Sequence, residues 1–132
     1  QGHDTTVPVT LEHIIYHCRA VAKGLSRPFL MADMPFMTYT SREQALDNAV
    51  RLMQEGGAKM VKLEGGAGQI EIVEFLAGKD IAVCAHLGLK PQSVHKVGGF
   101  RVQGREEAAA EQMTRDAVAA CAGEVKAQKK RR

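Results

Sequence analysis

Three apolar runs in this chain end alike. Each stops at an ionisable residue and gives way to a loop rich in Gly or Pro. The runs are Phe29-Leu30-Met31-Ala32-Asp33 before Met34-Pro35, Met60-Val61-Lys62-Leu63-Glu64 before Gly65-Gly66, and Ile81-Ala82-Val83-Cys84-Ala85-His86 before Leu87-Gly88. A segment of helical periodicity precedes each one. Helix, strand and loop in that rotation mark a parallel β/α protein, whose chemistry sits at the carboxyl ends of its strands. Strand side chains alternate faces with a period of two. Phe29, Met31 and Asp33 therefore share a face, as do Met60, Lys62 and Glu64, and again Ala82, Cys84 and His86. The opposite face is uniformly apolar and suits packing against helices. Asp33, Lys62, Glu64 and His86 are expected to converge on one spot, which in a closed barrel is its mouth.

Four helices are predicted. The first starts with Thr10 as N-cap, turns Leu11, Ile14, Ile15, Cys18 and Val21 to one face, and stops at Gly24. The second starts at Ser41, where Ser41-Arg42-Glu43-Gln44 fits a capping box. Its apolar face is Ala45, Leu46, Ala49, Val50 and Met53, and Gly56-Gly57 ends it. The third runs from about Gln69 to Ala77 with Ile70, Val73 and Leu76 inward. The fourth runs from about Glu106 to Ala122, with Met113, Ala117, Val118 and Cys121 at helical spacing. The loops from Met34 to Thr40 and from Leu87 to Arg105 exceed what connection requires, and such loops carry binding residues. Residues 1–122 are thus read as one α/β domain, and residues 123–132 as a basic, solvated tail.

Composition narrows the class. The 132 residues amount to one domain. Aromatics make up 5% and Trp is absent, so aliphatic side chains must fill the core. The net charge of +3 comes largely from Lys126, Lys129, Lys130, Arg131 and Arg132, so no nucleic-acid surface is indicated. Cys18, Cys84 and Cys121 are an odd number in no CxxC pattern, which points to a reducing cytoplasm. No apolar run approaches the ~18 residues of a membrane span, and no signal peptide is evident. The opening Gln1-Gly2-His3-Asp4 lacks an initiator Met and reads as cut at its beginning.

Each ionisable strand end has two readings. Asp33 and Glu64 are of the type that ligates a hard cation such as Mg²⁺; otherwise Asp33 caps a turn before Pro35 and Glu64 is a solvated loop residue. Lys62 either pairs with Glu64 or meets a substrate carboxylate. His86 either handles a proton or a substrate oxygen, or is a hydrogen-bonded structural histidine. His13 and His17, four apart and without an HExxH pattern, are read as structural. Gly65-Gly66 and Gly98-Gly99 lack the context of a phosphate loop and are read as tight turns.

Five ordered segments carry a resemblance: Gly2-His3-Asp4-Thr5-Thr6, Ala32-Asp33-Met34-Pro35-Phe36-Met37, Val61-Lys62-Leu63-Glu64-Gly65-Gly66, His86-Leu87-Gly88-Leu89 with Pro91-Gln92-Ser93-Val94, and Gly98-Gly99-Phe100-Arg101-Val102-Gln103-Gly104-Arg105. Over residues 1 to about 122 the chain resembles the ketopantoate hydroxymethyltransferase family. The resemblance implies a partial (β/α)₈ TIM barrel, here about three parallel strands with four helices. It implies Mg²⁺, and 5,10-methylenetetrahydrofolate as donor of a hydroxymethyl group to 3-methyl-2-oxobutanoate. It also implies a homo-oligomer, a decamer in the family. Asp33 matches a metal-ligand aspartate beside the keto acid, Lys62 a lysine that contacts the keto acid, and Glu64 a glutamate of the metal site. His86 lies in a matching motif near the substrate.

The family's other metal aspartate, in a Gly-Asp-Ser motif, would lie upstream of Gln1, and its proton-abstracting glutamate beyond Arg132. The expectation is an internal portion of the enzyme with negligible turnover by itself. The readings set against it are a non-catalytic, self-associating barrel segment and a related Mg²⁺-dependent enzyme of 2-keto-acid C–C chemistry.

Overall fold

In the computed structural model, residues 1–93, 104 and 106–129 are described, without the side chains of 93 and 123–129. The elements follow in the order α1 (Leu11–Gly24), β1 (Met31–Asp33), α2 (Arg42–Gln54), β2 (Met60–Glu64), α3 (Ile70–Ala77), β3 (Val83–His86) and α4 (Glu107–Lys129). Short 3₁₀ turns cover Ala67–Gln69 and Pro91–Ser93. The three strands form one parallel sheet in the order β1-β2-β3. Three parallel strands with four helices, each strand delivered by the helix before it, are consistent with part of a (β/α)₈ barrel.

The expected parity of the strands holds. Ala32, Val61, Leu63 and Val83 are buried on the helix-facing side. They join Leu11, Ile15 and Cys18 of α1, Ala45, Ala49 and Leu52 of α2, and Ile72, Val73 and Leu76 of α3 in a single core. On the other side Met31 is exposed, and Met60, Lys62 and Cys84 are half-buried.

Local chemistry sets the helix ends. The Thr10 hydroxyl accepts from the His13 amide, while His13 Nδ1 accepts from the Thr10 amide, so His13 completes a capping box. Ser41 accepts from the Gln44 amide as expected. The reciprocal bond does not return to Ser41: Gln44 Oε1 takes the Thr40 amide at 2.8 Å and the Thr40 hydroxyl at 2.7 Å. Thr40 thus meets the Gln44 side chain with two donors at once. Past α2, Gly57 at φ +78° turns the chain toward β2. Gly56 lies so close to α1 that a Cβ there would stand 3.2 Å from Cys18 Cβ.

Several boundaries and faces differ from expectation. β1 begins at Met31 rather than Phe29, and β3 at Val83 rather than Ile81. α3 begins at Ile70 and buries Ile72 in place of Ile70. α2 buries Leu52, which completes an i, i+4, i+7 stripe with Ala45 and Ala49, while Leu46, Val50 and Met53 pack at its flanks. Val21 and Val118 are exposed. α4 continues to Lys129, through most of the basic segment. The expected turn at Gly98-Gly99 lies outside the described residues, as do His95 and Lys130 to Arg132. No described helix is long and apolar enough to cross a membrane.

Candidate functional site

Register decides which strand ends meet. Asp33 lies abreast of Lys62, Lys62 abreast of Cys84, and Glu64 abreast of His86. Residues abreast in a sheet present side chains to the same side, and Lys62 and Glu64 are two apart on one strand. All four residues singled out in the sequence therefore share the face opposite the core formed with α1, α2 and α3.

Lys62 pairs with Asp33 through its ammonium and Oδ1, not with Glu64 as the structural reading of Lys62 expected. Strand geometry explains the choice. A neighbouring strand is about 4.8 Å away, whereas a residue two positions along the same strand is about 6.6 Å away. The Lys62 side chain is 21% exposed and that of Asp33 54% exposed. The pair is thus open to solvent on its acid side, and the Asp33 carboxylate is turned to Lys62 rather than to the turn before Pro35.

Glu64 is no solvated loop residue. It closes β2 and is 8% exposed. Its Oε2 accepts from the Gln92 amide at 3.1 Å, and no ion-pair partner reaches it among the described residues. Its own amide donates to the Tyr39 hydroxyl at 3.4 Å. Burial pushes the Tyr39 phenol up from its ordinary pKa, and the Glu64 and Asp33 charges push the same way against the Glu64 amide bond. Tyr39 is therefore a neutral hydroxyl. His86 Nε2 lies 2.6 Å from the Leu89 carbonyl. A carbonyl only accepts, so Nε2 carries the proton.

The loops after β1, β2 and β3 and one side of α4 border a cavity of about 320 Å³, lined among others by Phe36, Tyr39, Glu64, Gln69, Gln92 and Asp116; of the four residues singled out in the sequence Glu64 lines it, and Asp33, Lys62 and His86 do not. Gly65-Gly66 leads straight into the 3₁₀ turn Ala67–Gln69, with the Asp116 carboxylate lying over Gly66. Met37 in the first loop holds a left-handed φ of 60°, and its carbonyl accepts from Gln44 Nε2 at 3.1 Å.

Sequence reasoning assigned no role to Tyr39 or Gln92. The available signal was that Tyr39 is one of two tyrosines, placed in a loop already marked as long. Gln92 stood inside a resembling segment a few residues past a strand end, with nothing to set it apart from its neighbours.

The donor set fits a hard divalent cation in part. Among the described residues no group of three His, Cys, Asp or Glu side chains gathers as a metal cluster. Asp33 and Glu64 do stand on one side of adjacent strands, two residues out of step. Strand spacing and rise put their Cα atoms about 8 Å apart. Mg²⁺ characteristically takes one or two carboxylates and fills its remaining positions with water and substrate oxygens, so these two residues suit part of such a shell. Asp33 would share itself between the cation and Lys62.

Comparisons with known proteins point one way. The sequence model of the family described as ketopantoate hydroxymethyltransferase matches residues 1–125. The chain is 61% identical over 119 residues to the 3-methyl-2-oxobutanoate hydroxymethyltransferase of Halorhodospira halophila, covering 90% of this chain and 43% of that protein. It is 57% identical over 118 residues to that of Nitrosococcus oceani, covering 89% and 45%. Over 119 residues it is 60% identical to that of Alkalilimnicola ehrlichii, covering 90% and 43%. The chain spans under half the length of these curated relatives.

Proposed function

Because the chain belongs to the ketopantoate hydroxymethyltransferase family, we propose that it serves the transfer of a hydroxymethyl group from 5,10-methylenetetrahydrofolate to 3-methyl-2-oxobutanoate, giving 2-dehydropantoate for pantothenate biosynthesis. The observation that carries this reading is the register that sets Asp33 abreast of Lys62 and Glu64 abreast of His86 on one face.

In this reading Asp33 and Glu64 hold Mg²⁺, which when bound supplies Lewis-acid stabilisation of negative charge on the keto oxygen. Lys62 binds the keto acid by offering its ammonium to the carboxylate, and Asp33 holds that ammonium in place. His86 stands at the edge of the keto-acid site, with Nε2 committed to Leu89. The buried apolar face behind these residues keeps the strands rigid, so the charged groups need not reorganise when substrate enters. Removing a proton from C3 requires a base, and family resemblance assigns it to a glutamate on a further strand. General-base steps are commonly worth about 10²–10⁴ in rate, so residues 1–132 by themselves are expected to turn over negligibly. The same reading places the protein in the cytoplasm, as a homo-oligomer.

Binding of 3-methyl-2-oxobutanoate to the chain, followed by calorimetry with and without Mg²⁺, tests the assignment. Binding that strengthens with Mg²⁺ and is lost in Lys62→Ala is the expected result. Keto-acid binding unaffected by either change would overturn it.

One observation favours a second reading, that of a self-associating barrel segment. On the side of the sheet opposite the core formed with α1, α2 and α3 Met31 is 43% exposed, and Phe29 just before β1 is 63% exposed. Parallel sheets are normally covered on both sides. A monomer by sedimentation at high concentration would refute self-association.

A further inference from the structure

We infer that Gln92 and Tyr39 are positioning residues for Glu64, fixing which carboxylate oxygen it presents at the strand ends. The inference rests on the proposed role of Glu64 in the metal site. Glu64 is a buried carboxylate without an ion-pair partner among the described residues, so its charge must be met by hydrogen-bond donors. One donor is the Gln92 amide, on Oε2. Gln92 is itself held twice by its side chain. Nε2 donates to the Met34 carbonyl at 2.9 Å, and Oε1 accepts from the Tyr39 hydroxyl at 2.8 Å. Tyr39 in turn accepts from the Glu64 amide, the longest of the four bonds.

The bonds close a ring. The Glu64 amide donates to Tyr39, Tyr39 donates to Gln92, and the Gln92 amide donates to Glu64. A phenol has one proton, and here it goes to Gln92 Oε1, so toward Glu64 Tyr39 can only accept. Each member comes from a different strand–loop unit: Tyr39 after β1, Glu64 at the end of β2, Gln92 after β3. Three loops that could move separately are thus locked at one carboxylate. Among the described residues no hydrogen bond reaches Oε1, and it is the oxygen left to a ligand. Lining the cavity above β2 alongside Glu64, the two residues act on a ligand through Glu64.

A purely structural role for the ring makes a different prediction from a positioning role. Tyr39→Phe and Gln92→Met each keep size while removing the side-chain hydrogen bonds. Both are made in the full chain, alone and in a Glu64→Gln background. Mn²⁺, followed by paramagnetic resonance, serves as the divalent probe, with the unfolding midpoint read in parallel. Each single substitution is expected to weaken Mn²⁺ binding by about 10–100-fold, the range for residues that orient a ligating group. In the Glu64→Gln background neither is expected to weaken it further. Unchanged Mn²⁺ affinity, or the same loss with Glu64 already replaced, overturns the inference.

Amide exchange at Gln92 reads the ring without any metal. Glu64→Ala should speed it at least about tenfold, given that a half-buried donor left without its acceptor opens to water. An unchanged rate overturns the inference even if Mn²⁺ binds normally. Failure of the unsubstituted chain to bind Mn²⁺ would instead strike the metal reading of Glu64, leaving the ring to be decided by exchange alone.

Discussion

Lys62 and Leu63 are neighbours in sequence and face opposite ways, so truncating each in turn tests the parity on which the site depends. Leu63 is fully buried among the helices. Leu63→Ala removes three carbon atoms, about 2.4 kcal/mol of transfer free energy at about 0.8 per carbon. A cavity term is added because the surrounding helices cannot close the gap, and the total falls at about 2–5 kcal/mol. Lys62→Ala breaks an ion pair whose acid is half exposed, and Asp33 can then hydrate freely. Pairs this open to solvent contribute about 0–1 kcal/mol. Urea unfolding followed by far-ultraviolet circular dichroism separates the two. With a slope of about 2 kcal/mol per molar, Leu63→Ala lowers the midpoint by about 1 M or more, and Lys62→Ala by no more than about 0.5 M. A Lys62→Ala midpoint at or below that of Leu63→Ala would mean that Lys62 faces the core, and the convergence of Asp33, Lys62, Glu64 and His86 would fall with it.

The remaining predictions concern ligation, thiols and acid. Asp33→Asn is expected to weaken Mg²⁺ binding while leaving stability within about 0.5 kcal/mol of the parent, as for other exposed substitutions; unchanged affinity by calorimetry would remove Asp33 from the metal site. Alkylation at neutral pH should modify exposed Cys121 first and buried Cys18 last, because burial raises the Cys18 pKa and leaves little thiolate; mass spectrometry showing early modification of Cys18 would contradict its place on the face of α1 that packs against Gly56. Glu12 and Glu55 both hydrogen-bond Arg51, and those bonds, with the Glu12 backbone bond largest for that residue, hold both carboxyls below their ordinary value of 4.5. A lowered folded-state pKa stabilises above the unfolded value and is lost as pH falls through the folded one. The tie between α1 and α2 should therefore weaken below about pH 4.5, and Glu12→Gln with Glu55→Gln should flatten that acid limb. Titration midpoints at or above 4.5 by nuclear magnetic resonance would refute this.

The strands could be read from sequence because a period of two is strictly local. Whether Leu63 or Lys62 meets the helices follows from parity alone, and the helix starts at Thr10 and Ser41 follow from side chains three residues away. Errors arise where neighbours in space decide. The expected face of α2 omits Leu52 although it stands at helical spacing from Ala45 and Ala49, whereas Val21, at equally good spacing on α1, is exposed. An apolar residue at helical spacing is buried only if a partner covers its turn, and spacing carries no record of the partner. The end of α4 departs for a different reason. Good helix formers, Ala, Glu, Gln and Lys, outweigh Gly123 and Val125 and continue the helix to Lys129, through residues whose charge suggests a tail. Charge carries no information on backbone conformation, and a highly charged segment can still be helical.

The site divides along the same line. That four ionisable residues share a face was legible from the strands, but their chemical states were not. Asp33 and Glu64 are both carboxylates at strand ends, and a local rule treats them alike. Register places a lysine abreast of Asp33, which therefore shares its charge with Lys62 at half exposure. Register places His86 abreast of Glu64, and His86 is committed elsewhere, to the Leu89 carbonyl. Glu64 is then covered by loops whose residues lie 25 and 28 positions away, and the donor that reaches its carboxylate among the described residues, the Gln92 amide, is neutral. A carboxylate met only by neutral donors keeps its full charge for an incoming cation, whereas one already paired must share it. In the proposed metal site Glu64 would therefore be the stronger anchor for a divalent ion and Asp33 the more adjustable one, a ranking that comes from cross-strand register and loop closure rather than from residue type.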